Sequence, residues 1–319
     1  MMKPAWQPQA SIEAIARRAK LYADIRHYFS TRNVLEVDVP LLGRHGVTDV
    51  YIDNLQLASG DTEAYLQSSP EYFLKRLLAA YGRAVYYLGK AFREGESGVR
   101  HHREFTLLEW YRPAWDEYQL MDEVADLLLA LGFETDIPVQ RYTYRDAFLK
   151  SVGLDPHTAS DKELGDYASD VAACSWRDQD RSSSLDLIFS LRVEPDLPMG
   201  LVFIDEYPAV QAALARLSED RLGNPVARRF EAFLNGMEVA NGYWELCDDQ
   251  EQRARFEADN RSRIALGKRP MPIDENVLAA LAHGLPECSG VALGLDRVLM
   301  QLLGAKHINE VLSFCELPD

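Results

Sequence analysis

The chain reads as an α+β protein with a mainly antiparallel sheet flanked by helices. Three features carry that expectation. Strand-like runs follow one another through short, hairpin-type loops, the first regular segment is an amphipathic helix, and a Gly-rich strand near the C-terminus runs straight into another helix.

In chain order, Ile12, Ile15, Ala19, Tyr22, Ile25 and Phe29 recur at helical spacing behind Ser11, a suitable N-cap. Strand-like composition follows over Val50 to Leu57, Ala84 to Leu88, Phe105 to Tyr111, Leu201 to Ile204 and Phe230 to Leu234. Ser69-Pro70-Glu71 reads as a helix start, with serine as cap and proline in the first turn. From Phe92 to Arg112 the run FREGESGVRHHREFTLLEWYR reads as two strands joined by a charged loop. Residues Ser151 to Arg192, polar and rich in Asp and Ser, read as a helical insertion that carries none of the chemistry. Asn235-Gly236 is a hairpin turn signal between Glu231 and Glu238 and brings both acids to one place. Ser289 to Met300, SGVALGLDRVLM, is a strand leading into a helix whose first turn holds Asp296 and Arg297. There is no repeat or low-complexity tract, and 319 residues suffice for one large catalytic domain, so residues 1–319 are expected to form a single unit of function.

Composition narrows the function. A net charge of −16 opposes the phosphate neutralisation on which nucleic-acid affinity depends, so a tRNA partner is disfavoured. Cys174, Cys247, Cys288 and Cys315 show no metal-ligand spacing, and His101 and His102, as strand neighbours, would point to opposite sides, so no zinc site is expected. Without a leader or an apolar run of membrane-spanning length, the chain reads as cytosolic, reduced and independent of membranes. Arginines for phosphates (Arg93, Arg297), acids for magnesium and an aromatic face for a base (Phe105) are what ATP binding on a sheet requires without a P-loop. Taken singly, each has a plainer explanation: a sheet-edge ion pair for Arg93, a helix cap for Gly294-Leu295-Asp296-Arg297, core packing for Phe105.

In combination these segments resemble motifs 2 and 3 of the class II aminoacyl-tRNA synthetases, above all the lysyl branch. Phe92-Arg93, Val99-Arg100-His101, Glu104-Phe105-Thr106 and Leu108-Glu109 resemble motif 2, and Leu35-Glu36-Val37-Asp38-Val39-Pro40 resembles motif 1. The resemblance runs from about Ile12 to Leu317 and implies the class II catalytic core. Only ten residues precede the first helix, which leaves no room for the usual anticodon-binding barrel. A lysyl core of this kind is similar to the ligases that attach (R)-β-lysine to a lysine of translation elongation factor P.

The roles that follow are implied by that resemblance. Arg93 bridges the substrate carboxylate and the α-phosphate of ATP, and Arg297 binds the γ-phosphate. Glu94, Gly95, Glu96, Arg100, His101, His102, Phe105, Glu238, Val239 and Gly294 complete the nucleotide site. Glu231 and Glu238 hold Mg2+. Ser69, Glu71, Glu109, Tyr111, Asn241, Glu245 and Ala292 receive the diamine acid, with Glu71 on the backbone-type amine and Glu245 and Tyr111 on the distal ammonium. Motif 1 implies a homodimer. The chain departs from the lysyl pattern at His102 and Arg103, which replace Asn-Pro, at Arg93-Glu94-Gly95-Glu96, which replaces Arg-Asn-Glu, and at Ala292, where a second glycine is usual. The Ala292 methyl is expected to disfavour α-lysine and leave room for an amine displaced by one carbon. Alternatives to β-lysyl transfer are a minimal lysyl-tRNA synthetase, a free amino-acid ligase, and a non-catalytic synthetase-like regulatory subunit.

Overall fold

The structure, a computed structural model, describes residues 6–59, 62–133 and 138–315. These fall into two compact units, one within residues 6–116, 126–133 and 247–315, the other within 117–125 and 138–246.

The first unit opens with α1 (Ile12–Thr31), where the Ser11 hydroxyl accepts from the Ala14 N–H as expected of an N-cap. Its strands are β1 (Leu35–Glu36), β2 (Leu42–Gly43), β3 (Gln56–Ser59), β4 (Thr62–Leu66), β5 (Val85–Phe92) and β6 (Glu104–Pro113), and near the C-terminus β12 (Cys288–Gly294). β5, β6 and β12 form an antiparallel run, β1 adds in parallel to β5, and β2-β4-β3 make a separate small sheet. The register gives the main run two unlike faces. Tyr86, Leu108, Trp110, Val291 and Leu293 point to one side and are buried, with Phe29 of α1 stacked 4.5 Å from Tyr86 and 5.4 Å from Trp110. Burying each such side chain stabilises the fold by roughly 1.5–3 kcal/mol, and that is what fixes the register. The opposite face carries Val85, Tyr87, Phe105, Leu107, Glu109 and Tyr111, with the small residues Gly89, Ala91, Gly290, Ala292 and Gly294 set among them. Helices α2 (Glu71–Tyr81), α7 (Asp249–Ala265), α8 (Glu275–Gly284) and α9 (Leu295–Leu303) complete this unit.

One expected strand is mostly absent. Over Val50 to Leu57 only Gln56 and Leu57 are extended into β3, while Val50 and Tyr51 form a turn. The Asp49 carboxylate accepts from the Tyr51 N–H, Arg263 donates to the Asp49 and Ile52 carbonyls, and Lys268 donates to the Val50 carbonyl. Cations from 200 residues away satisfy backbone groups that a ladder would otherwise need, so the strand composition is overridden. Likewise His101 and His102 precede β6 in a loop and do not sit on a strand. Pro70 occupies the cap position of α2, just ahead of its first turn.

The second unit is built on β7 (Val139–Thr143), β8 (Leu201–Pro208), β9 (Leu217–Glu219), β10 (Pro225–Leu234) and β11 (Met237–Trp244), in the order β11-β10-β8-β7 with β9 on β10. Asn235 and Gly236 both have positive φ, 51° and 73°, and close the β10–β11 hairpin as the Asn-Gly signal predicts. α4 (Tyr144–Val152), α5 (Asp161–Ala172) and α6 (Arg181–Ile188) lie on one face of the sheet. Leu164, Ala168, Leu185 and Ile188 are buried there with Val202, Ile204 and Phe233, an apolar stripe that the polar composition of this stretch conceals.

Asp205 of β8 is buried near Glu117, the first residue of α3 (Glu117–Ala130), which is ion-paired with Arg228. Burial, and then the charges of Glu206 and Glu117, push the Asp205 carboxyl up to about 7, against the pull of Arg228 and Arg141. The folded state therefore holds a proton that the unfolded chain has released, and stability falls as pH rises from about 4 to 7. Asp205→Asn should flatten this fall, gaining on the order of 2 kcal/mol on the parent between pH 5 and pH 8 in urea titrations. Parallel pH profiles for the two proteins would sink this account.

Candidate active site

The polar groups of the first unit gather on the small-residue face. Glu109 is almost fully buried; its Oε2 accepts from the Ser69 hydroxyl at 2.8 Å and its Oε1 from the Tyr111 hydroxyl at 2.9 Å. Across the ladder, Ala292 stands directly opposite Glu109 and Gly290 opposite Tyr111. The Ala292 methyl thus borders the buried carboxylate. Ser69 also accepts from the Glu71 N–H at 3.1 Å, so one hydroxyl ties the start of α2 to the sheet. Glu71 pairs with Lys75 one turn on, at 2.7 Å, and Lys75 is 1% exposed. An ammonium bound by Glu71 must share its carboxylate with that lysine, a partner the sequence offered at i,i+4.

Arg93 follows β5. Its Nε donates to the Ser68 carbonyl at 3.4 Å, its Nη1 lies 3.2 Å from Glu96, and its guanidinium covers the Phe105 ring at 5.1 Å. A base that stacks on Phe105 takes the ring's other face or displaces Arg93. Glu94 donates its N–H to the Asp53 carbonyl, and its carboxylate lies 3.5 Å from Arg103. Gly95 has φ +78°, a left-handed conformation that suits the turn of this loop and would strain another residue. Arg297 of α9 lies with Nε 3.4 Å from the Arg100 carbonyl and Nη2 2.6 Å from His101 Nε2. The guanidinium always carries its protons, so this short contact requires His101 to accept, in its neutral form. His102 turns its Nδ1 to the backbone of Glu104, at 2.8 Å from the carbonyl, and its Nε2 is buried without a hydrogen-bond partner.

A network that sequence reasoning missed holds these parts in register. Asp296 accepts from Arg18 of α1 at 2.5 Å and from the Thr106 N–H at 2.7 Å, while Arg18 also donates to Thr106 Oγ1 and to the Val311 carbonyl. Because Thr106 follows Phe105 and Asp296 precedes Arg297, one buried ion pair sets the spacing of the aromatic and the guanidinium. Arg18 lies 278 residues from Asp296 in a basic stretch of helix, and nothing local marks it out.

In the second unit Glu231 and Glu238 share a sheet face. Glu231 stands opposite Asn241 and Phe233 opposite Glu238, with Val239 unpaired in a bulge between them. The extra residue turns Asn241 onto the same face as the two acids, where its Oδ1 is buried without a hydrogen-bond partner. Burial pushes the Glu231 carboxyl up to about 7; Arg229, 2.5 Å away, lowers it and the charge of Glu238 raises it further. Two carboxylates and an unpartnered amide oxygen are hard donors that fit Mg2+, and a cation there would relieve the excess negative charge. Arg229 is a second residue the sequence reading passed over, although it lies on the same strand face as Glu231. Val239 and Glu245 are both buried in this unit. Among the described residues no group of three or more His, Cys, Asp or Glu is arranged to hold a metal.

Residues 6–318 match the family of class II tRNA synthetases (D, K and N), and the chain belongs to that family. Its fold is the class II synthetase type, and it is a ligase. Within the family it is similar, at 44% identity over 97% of both chains, to the elongation factor P–(R)-β-lysine ligases of Proteus mirabilis and Photorhabdus laumondii. It is 43% identical, over 97% of both chains, to the ligase of the same name from Pectobacterium atrosepticum.

Proposed function

We propose that the chain activates (R)-β-lysine with ATP and Mg2+ as an aminoacyl-adenylate and transfers it to the ε-amino group of a lysine on elongation factor P. The observation that carries this reading is similarity to ligases of that name over nearly the whole of both chains, joined to a buried acid at Glu109 bordered by Ala292. The substrate carboxylate attacks the α-phosphate and pyrophosphate leaves. The acceptor amine then attacks the acyl carbonyl, AMP leaves, and an amide forms.

Such chemistry needs charge stabilisation more than acid–base groups. Arg93 is the fork for the reacting anions, and Arg297, released from His101, takes the terminal phosphate. Glu94, Glu96, Arg100, His102 and Gly294 line the nucleotide with Phe105 beneath the base. Glu231 and Glu238, with Asn241, hold the Mg2+, which neutralises charge on the phosphates. Glu71, Glu109, Tyr111 and Glu245 receive the two ammonium groups, which must be paired once desolvated. The protein works in the cytoplasm as a homodimer, with its 319 residues acting as one catalytic domain and no part taken by tRNA. Among the described residues no helix is long and apolar enough to cross a membrane.

Pyrophosphate exchange with (R)-β-lysine and with α-lysine, followed by separate addition of elongation factor P and tRNA, tests the reading. Exchange driven by β-lysine and a mass gain on elongation factor P are expected. Preference for α-lysine with transfer to tRNA alone would make the chain a lysyl-tRNA synthetase, and exchange without transfer to either a free amino-acid ligase. Absence of exchange would make it non-catalytic. Ala292→Gly should shift the α/β preference toward α-lysine by roughly tenfold, the worth of one methyl in a close-fitting pocket. An unchanged ratio would remove Ala292 from the account of specificity.

A further inference from the structure

The first unit holds a cavity of about 240 Å³ on the outer side of α2, walled by the loop Gly43–Val47, by the helix residues Tyr72, Phe73 and Arg76, and by the start of α8. Of the proposed substrate groups only Ser69 reaches it. Glu109, Tyr111 and Ala292 do not line it.

Its charge is one-sided. Arg44 and Arg76 both line the cavity, and among the described residues neither has a carboxylate within ion-pair distance; Arg76 has the Phe73 ring, at 5.5 Å. Asp274, the acid in the wall, is already engaged: it caps α8 through the Asn276 N–H at 2.9 Å and lies 3.7 Å from His45. Two guanidiniums around one hollow give it a local positive field in a chain of net charge −16, and that field draws an anion into the cleft.

Two buried polar atoms beside the cavity have no hydrogen-bond partner, and of these the Ser68 hydroxyl can donate to an anion. Ser68, 2% exposed, has a hydroxyl with no hydrogen-bond partner. Gln67, 8% exposed, gives its amide nitrogen to the Tyr87 hydroxyl and the Lys90 carbonyl, while its Oε1 has no partner. Buried groups of this kind cost stability unless a ligand or water completes them. Both residues line the cavity, and the rest of the wall is largely apolar, with Leu42, Tyr65 and Phe73 prominent.

We infer that this cavity is a binding site for a small organic anion, a carboxylate or phosphate on an apolar or aromatic body. The arginines take the charge, Ser68 donates its hydroxyl proton, and the aromatic wall takes the body. The site is wired to the sheet, because Ser68 gives its carbonyl to Arg93 and Ser69 its hydroxyl to Glu109.

Calorimetric titration of the full chain with phenyl phosphate, benzoate and inorganic phosphate, with and without saturating ATP, tests the inference apart from any catalytic assay. Saturable binding of phenyl phosphate or benzoate is expected, unaffected by ATP and about tenfold or more weaker in Arg44→Ala/Arg76→Ala. The better of the two probes identifies the charged group. Arg44 is exposed and makes no ion pair among the described residues, so Arg44→Glu should keep the fold and should also abolish binding if the double variant is unstable. Absence of saturable binding would overturn the site. So would binding that ATP displaces, or that both variants retain, since either would place the anion elsewhere.

Discussion

Arg93→Ala is expected to lower amino-acid-dependent pyrophosphate exchange by roughly 10²–10³-fold, with the loss in kcat and little change in KM for ATP. The guanidinium is partly exposed and held by the Ser68 carbonyl, Glu96 and the Phe105 ring, so its aim is fixed before any substrate arrives. Charge developing on the α-phosphate would meet a donor already in place, and removal of that donor is felt only as the charge develops. Arg93→Lys should restore little of the rate, because an ammonium is a point charge and cannot hold two anions as a planar fork does. Neither change removes buried apolar area, so melting temperatures should stay close to the parent's. A lysine variant within tenfold of the parent would mean that Arg93 is the ion-paired loop residue it would be on any other sheet.

Glu238→Gln is expected to raise the Mg2+ concentration needed for half-maximal exchange on the order of 10–100-fold, the range seen when even an outer-shell partner of a metal is lost. Measuring exchange across a magnesium titration reads this directly, and an unchanged midpoint would remove Glu238 from the metal site. Glu231→Gln should behave differently. It strips the buried Arg229 of its counter-charge and should cost about 3–5 kcal/mol of folding stability as well as metal affinity. Two acids on one face are thus separable: one chiefly a ligand, the other also a strut.

The parts of this architecture that were legible in the sequence are those written in local chemistry. Ser11 caps α1, Asn235-Gly236 turns the hairpin, and the strand-like run from Phe105 to Tyr111 lies within β6. What could not be read is set by partners far along the chain. Arg263 and Lys268 convert a strand-like run at Val50 into a turn, and Arg18 finds Asp296 across most of the molecule. Among the candidate site residues, the positions on motif-like segments could be named from their pattern. Two of their present engagements could not: His102 with the Glu104 backbone, and Arg297 with His101. The Glu71–Lys75 spacing was a usable signal, whereas no periodicity announces a histidine folding back on its own loop.

The unpaired Val239 has a bearing on how this enzyme could be re-engineered. It acts as a spacer between two differently indexed halves of β11: Glu238 is counted from the Asn-Gly turn, while Asn241 and Tyr243 are counted from Glu231 and Arg229. Deleting that one valine would remove the bulge and its local bend but leave every other pairing as it is, so that Asn241, then two residues beyond Glu238, stays on the face of the two acids. Homologues or libraries shorter by this one residue would therefore keep the three oxygen donors together and differ in the local twist of the hairpin.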